Sequence, residues 1–160
     1  MRRGEEMLVS LHDHFPIRVT DWLLSAILFC WGLTLFSIHP TVWDLPIYDG
    51  LNDIAAQNTW ASVATVIGLA RLVALFINGT VRRSPHLRLI GAVLSGLIWL
   101  QVSMSLMFSD MSTAAAAIYP WLALADAFNG YRAAKDAGTA DTVAYERSKT
   151  IAARRVSNRA

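Results

Sequence analysis

The chain has 160 residues, of which 54% are hydrophobic and only 16% charged, and its mean hydropathy is +0.39. A soluble globular domain carries about 25% charged residues. The composition therefore argues against a soluble domain and indicates a membrane protein.

Four apolar runs recur along the chain, at 22–38, 60–81, 89–108 and 113–128. Because the hydrocarbon core of a bilayer is about 30 Å thick, a spanning helix needs roughly 20 apolar residues. The second and third runs meet this length, whereas the fourth does so only if it includes 129–131 or lies in a thinned membrane. The sequence thus predicts an all-α, polytopic protein with four transmembrane helices at 22–131, a lead at 1–21, an outer loop at 39–59 and a tail at 132–160.

The net charge of +2 conceals a strong asymmetry between the connecting segments. Lysine and arginine occur in the lead, between the second and third runs, and in the tail. The outer loop carries only Asp44, Asp49 and Asp53, and the connection between the third and fourth runs carries only Asp110. Since basic residues favour the cytoplasmic side, four spans with both termini cytoplasmic satisfy the charge distribution.

Arg71 is the one basic residue inside an apolar run, and a charge at such a position needs a partner or a purpose. Counted back from Arg82 and forward from Leu89, Arg71 and Gln101 lie about 16 Å and about 18 Å deep, so we expect them to approach each other. The layer would line a pore or a proton path, or it would be structural, with Arg71 bonded to Gln101 or to Asp126. The predicted intramembrane polar layer comprises Arg71, Gln101, Ser103, Ser105 and Asp126.

Small residues on the second and third runs predict close helix packing. Gly68 lies on the second run, and Ala92 and Gly96 form a small-xxx-small pair on the third. Such a pattern serves contacts within one chain as well as between copies. The pattern is therefore compatible with a homo-oligomer. We expect the lipid bilayer to surround the helices.

No motif in the sequence predicts a catalytic site, a metal site or a cofactor site. None of the histidines pairs with another inside an apolar run, which argues against a haem held by two histidines. His12, Asp13 and His14 are residue types that bind metals, but structural zinc requires four fixed ligands, so we expect a solvated surface here rather than a metal site. The tail lacks the aromatic residues that stack on bases, so we do not expect nucleic-acid binding.

The segment GLARLVALFINGTVRRSPHLRLIGAVLSGLIWLQVS, together with Tyr119-Pro120 and Asn129-Gly130-Tyr131-Arg132, resembles small four-helix membrane proteins of tailed phages and prophages of proteobacteria. The resemblance covers roughly residues 60–132. It implies a protein placed in the inner membrane of an infected bacterium, where small phage proteins often serve as holins, antiholins or superinfection-exclusion factors. Holins usually have one to three spans, fewer than are predicted for this chain.

These observations favour a non-enzymatic protein of the bacterial inner membrane that acts through helix association. The most concrete form of this hypothesis is a holin-like pore former. The alternative is a membrane-anchored interaction protein, such as a superinfection-exclusion factor or a subunit of a complex, which binds an unidentified membrane or cytoplasmic protein through the basic tail or the aromatic outer loop.

Overall fold

The computed structural model describes residues 2–80, 84–109 and 113–157, with side chains at 19–39, 42–77, 84–109 and 113–151. This part of the chain is helical and contains no strand, which confirms the all-α prediction. The predicted basic turn at Arg82 and Arg83, as well as Asp110, lies outside the described residues, and so do the side chains of His12 and His14. The elements are α1 (Arg2–Ser37), α2 (Pro40–Trp43), a 3₁₀ turn (Pro46–Tyr48), α3 (Asp49–Asn52), α4 (Gln57–Thr80), α5 (Pro85–Met107), a second 3₁₀ turn (Ala114–Ala117) and α6 (Tyr119–Ser157).

Among the described residues, three helices are long and apolar enough to cross a membrane. Their spanning segments are Val19–Ser37, Gln57–Ile77 and Pro85–Met107. They coincide with the first three predicted runs and identify the chain as a membrane protein. The fourth predicted run falls on the second 3₁₀ turn and the first part of α6, which is not among these three helices, so the fourth span stays a prediction.

The two terminal helices are longer than the predicted spans. α1 includes the predicted lead and continues through Pro16, and α6 continues through Gly138 into the predicted tail. Apolarity marks where a helix can contact lipid, whereas helical backbone continues into polar sequence, with one hydrogen bond missing at Pro16 because proline has no N–H. Pro120 does not kink a spanning helix, because α6 begins at Tyr119 and a proline at the start of a helix removes no hydrogen bond.

The four long helices form an antiparallel bundle of two tightly packed pairs, α1 with α4 and α5 with α6, and contacts between the pairs are sparse. Thr20, Arg88 and Asp136 lie at one end of the bundle, which we call the basic end. The connection 38–56 lies at the other, the loop end, where Gln57 donates hydrogen bonds to the carbonyl oxygens of Leu35 and Ile38. These bonds satisfy carbonyls that the end of α1 would otherwise leave without partners.

Glycines allow α1 and α4 to approach each other closely. A Cβ atom at Gly68 would lie 2.5 Å from the backbone nitrogen of Phe29, and one at Gly32 would lie 2.5 Å from that of Thr65. Because backbone atoms cannot move aside as side chains do, only glycine fits at these two crossings. The core between the pairs is aromatic, with the Trp99 ring centroid 5.4 Å from that of Trp31 and 5.6 Å from that of Tyr119.

We predict that Gly68→Ala lowers the melting temperature of the protein in detergent. The added methyl group overlaps Phe29, and overpacking typically costs about 1–3 kcal/mol. Gly138→Ala is the matched control, since its Cβ would meet nothing within 4 Å and alanine favours a helix over glycine by about 1 kcal/mol. The melting temperatures are measured by tryptophan fluorescence. Equal values for the two variants would contradict the close α1–α4 crossing.

Candidate functional site

A buried ion pair joins the two helix pairs. Arg71 on α4 donates from Nη1 to Asp126 Oδ2 at 3.1 Å and from Nη2 to Oδ1 at 2.8 Å. The Arg71 side chain is 7% exposed and that of Asp126 is 0% exposed. The planar guanidinium matches a carboxylate in this two-bond arrangement, which is the geometry that compensates most for burying both charges.

Residues of α5 make room for this ion pair and complete it. Gly91 lies beside the Arg71 stem, because a Cβ there would be 2.8 Å from Arg71 Cγ. Ser95, fully buried, donates its hydroxyl hydrogen to Asp126 Oδ2. A Cβ at Gly96 would lie 3.6 Å from the Cβ of Asp126. Arg71 thus passes α5 to bond a carboxylate on α6, and three helices contribute to one charge site.

A second ion pair lies nearer the basic end. Arg88 on α5 donates from Nε and Nη2 to Asp21 Oδ2 on α1, at 3.1 and 2.8 Å, and from Nη1 to Asp136 on α6 at 3.0 Å. The side chains of Arg88 and Asp21 are buried, whereas that of Asp136 is largely exposed. His86 and Asp141 form an exposed contact at 3.3 Å beyond it. The bonds between Arg88 and Asp21 therefore link the two helix pairs, whereas those to Asp136 and between His86 and Asp141 join α5 to α6 within one pair.

Asn129 lies between the two charge sites on α6. Its side-chain oxygen accepts a hydrogen bond of 3.0 Å from the Thr20 hydroxyl of α1, while its Nδ2 is buried without a hydrogen-bond partner. A buried amide without its bonds is unfavourable, so this position is less well satisfied than the ion pairs on either side.

The structure brings together two members of the predicted polar layer, Arg71 and Asp126, and places the other three elsewhere. Gln101 and Ser105 hold the loop end, where they donate to the carbonyls of Gly50 and Ile47, both at 3.4 Å. Ser103 donates to the Trp99 carbonyl of its own helix at 2.6 Å.

The separation of Gln101 from Arg71 follows from where α5 begins. The helix starts at Pro85 rather than at Leu89, so Gln101 lies about 16 residues, or about 24 Å, from the basic end of α5. Arg71 lies only about 9 residues, or about 14 Å, from the end of α4. The two side chains are therefore at different depths.

The three predicted packing residues all lie at helix contacts within this chain. Gly68 meets α1 at Phe29, and Ala92 is buried with its Cβ 3.8 Å from the position of a Cβ at Gly130. Ala92 and Gly96 together face α6. Beside this contact runs a groove of about 670 Å³ between α5 and α6, and its lining includes several small residues and Asp126.

The two charge sites connect different helices of the bundle. Within the described residues, no group of three histidine, cysteine, aspartate or glutamate side chains could hold a metal ion. Cys30 is exposed on α1 and is a free thiol. The buried carboxylates Asp21 and Asp126 are both engaged by arginines.

Sequence reasoning missed the partners of the second ion pair. Asp21 and Arg88 lie at the ends of apolar runs, where charges satisfy topology and capping without any tertiary contact. Gly91 and Ser95 read as ordinary small residues. The available signal was their spacing, since Arg88, Gly91 and Ser95 recur at helical intervals on one face of α5.

Comparison with protein-family models, with curated protein sequences and with solved structures finds no match to this chain.

We predict that Arg71→Leu lowers the free energy of unfolding in detergent by about 3–5 kcal/mol, because it leaves the Asp126 carboxylate buried without its partner. Replacing both residues, with Arg71→Leu and Asp126→Leu, removes the uncompensated charge and should restore most of the loss. Arg147→Leu, at an exposed position on α6, is the matched control and should change stability by less than about 0.5 kcal/mol. A double variant no more stable than Arg71→Leu would show that the ion pair does not act as a unit.

Proposed function

We propose that this chain is a non-enzymatic protein of the bacterial inner membrane that spans it four times and serves as a membrane-anchored interaction protein. In this proposal both termini are cytoplasmic, and the distal half of α6 extends into the cytoplasm to bind another protein component. Nucleic acid is not the expected partner. The resemblance to phage-encoded membrane proteins is consistent with a superinfection-exclusion factor or a subunit of a larger complex.

The observation that carries the proposal is the internal pairing of the intramembrane charge. An arginine that lines an aqueous path has to face water or an ion. Arg71 is 7% exposed and gives two hydrogen bonds to Asp126, whose carboxylate also accepts from Ser95. A charge that is satisfied in this way favours a fixed bundle over a lining group of a pore.

The distal part of α6 supports the interaction role. Beyond Asp141 the helix continues to Ser157, about 16 residues or about 24 Å. Its described side chains are all exposed, including the apolar Val143, Tyr145 and Ile151. An isolated helix of this length is only marginally stable in water, so a segment without packing in its own chain is well suited to a partner.

A holin-like pore former is the second candidate, and the division of the bundle into two pairs favours it. The α1–α4 and α5–α6 pairs contact each other sparsely and are joined in large part by polar bonds. Pairs joined in this way could separate and associate with pairs of other copies. This candidate predicts oligomers and a collapse of membrane potential.

We predict that cysteine accessibility agrees with four spans. In a Cys30→Ser background, Asp44→Cys in the loop end should react with a membrane-impermeant maleimide in intact spheroplasts. Ser148→Cys on distal α6 should react only after permeabilisation, because the basic residues on both sides of it favour the cytoplasm. Labelling of Ser148→Cys in intact spheroplasts would contradict the four-span topology.

We also predict that expression in bacteria leaves the membrane potential intact, as followed with a voltage-sensitive dye. Arg71→Leu, compared at matched protein level, controls for non-specific leakage from an unstable bundle, and a pore-forming protein serves as the positive control. Abrupt depolarisation by the wild-type chain but not by the variant would reject the interaction proposal in favour of the pore former.

A further inference from the structure

The lipid-facing stripe of α6 is short compared with that of α5. On α6 the exposed apolar residues extend from Ile118 to Phe128 and end at the exposed Tyr131, a distance of about 20 Å from Ile118. On α5 they extend from Leu87 to Phe108, about 32 Å. A bilayer core of about 30 Å therefore matches α5 but exceeds α6, so the headgroup region has to lie close to α6 just beyond Tyr131.

The groove between α5 and α6 lies on this side of the bundle. Its volume of about 670 Å³ is within the range of pockets that hold small ligands. The wall on α5 consists of long apolar side chains, including Leu97, Leu100 and Met104, and the floor consists of small residues, including Gly96 and Ala127. Such a channel fits a flexible apolar chain rather than a polar molecule.

A basic residue stands at one end of the groove. Ala134 is the last lining residue on α6, and Lys135 follows it one turn beyond Tyr131, exposed to the surroundings. Tyrosine is typical of the membrane interface, and a lysine stem can extend along apolar surface while its ammonium group reaches the headgroups. Lys135 therefore carries a positive charge next to the last lining residue of the groove, near the level expected for a lipid phosphate.

We propose that the α5–α6 groove is a binding site for an anionic phospholipid, with one acyl chain along the small-residue floor and the phosphate beside Lys135. This proposal rests on the proposed function, because α6 has to lie in the bilayer beside α5, but it does not require the proposed protein partner. The groove extends for more than 20 Å along both helices, enough for a chain that reaches the bilayer midplane, about 15 Å. Basic sites between membrane helices are known to hold such headgroups.

The site would also protect the buried ion pair. Asp126 is one of the residues that line the groove, and its carboxylate is bonded to Arg71 and Ser95. An acyl chain in the groove excludes water from this side of Asp126, and charge pairs are stronger where water is excluded. Bound lipid is therefore expected to stabilise the bundle through the contact between its two helix pairs.

The test measures lipid binding to the full-length protein in detergent by native mass spectrometry, with phosphatidylglycerol and phosphatidylcholine of identical acyl chains as probes. We expect wild-type protein to bind phosphatidylglycerol more tightly and to melt at a higher temperature with it. Lys135→Glu should weaken phosphatidylglycerol binding about tenfold, because it reverses the charge beside the phosphate. Lys149→Glu, the same change on exposed distal α6, should leave binding unchanged.

A second pair of variants tests the acyl-chain site. Ala127→Trp fills the groove and should abolish the preference, while Ala70→Trp, at an exposed position on α4, should retain it. Ala127→Leu, a smaller change, replaces Ala127→Trp if that variant lacks the wild-type helix content. The proposal is rejected if both lipids bind equally to the wild type, or if neither Lys135→Glu nor the Ala127 variant weakens phosphatidylglycerol binding.

The native mass spectra also show whether a second copy of the chain, rather than a lipid, occupies the groove. If Ala127→Trp converts a dimer into a monomer and lipid binding does not change, a second copy of the chain occupies the groove and the lipid proposal fails. Cysteine labelling reports the topology separately, so failure of the lipid site and failure of the four-span proposal can be told apart.

Discussion

The ion pair between Arg71 and Asp126 is the contact on which the arrangement of the bundle depends. The lipid-facing surfaces gain little from burial against one another, because hydrocarbon tails are as apolar as the side chains. Helix pairs α1–α4 and α5–α6 pack closely through small residues, but they meet each other sparsely. Two charges that can be satisfied only across that boundary therefore determine how the pairs are placed.

The kind of contact that joins the helix pairs differs along the bundle axis. Towards the basic end, the pairs are joined by Arg71 with Asp126 and by Arg88 with Asp21. Towards the loop end, an aromatic core around Trp99 and hydrogen bonds to loop carbonyls replace them. Removing one charge should therefore loosen the basic half while the loop half keeps its own contacts.

The proposed function depends on the surfaces that this arrangement of helices leaves exposed. The charges inside the bundle are engaged with one another, so they offer little to a passing ion or substrate. The surfaces still available are the distal part of α6, exposed beyond Asp141, and the groove between α5 and α6. We propose that the first binds a protein partner and the second a lipid chain.

The sequence by itself determined the all-helical class and the three helices that are long and apolar enough to span a membrane. Length and apolarity are local properties of a segment, and the thickness of the bilayer sets the values that they must reach. It also identified Arg71 and Asp126 as residues in need of an explanation. Only the tertiary structure decided that they bond each other and that Gln101 holds the loop end instead. Helix starts, such as Pro85 in place of Leu89, set side-chain depth, and a few residues of displacement moved Gln101 by several ångströms. The full lengths of α1 and α6 could likewise not be predicted from hydropathy, because hydropathy indicates only the part of a helix that contacts lipid.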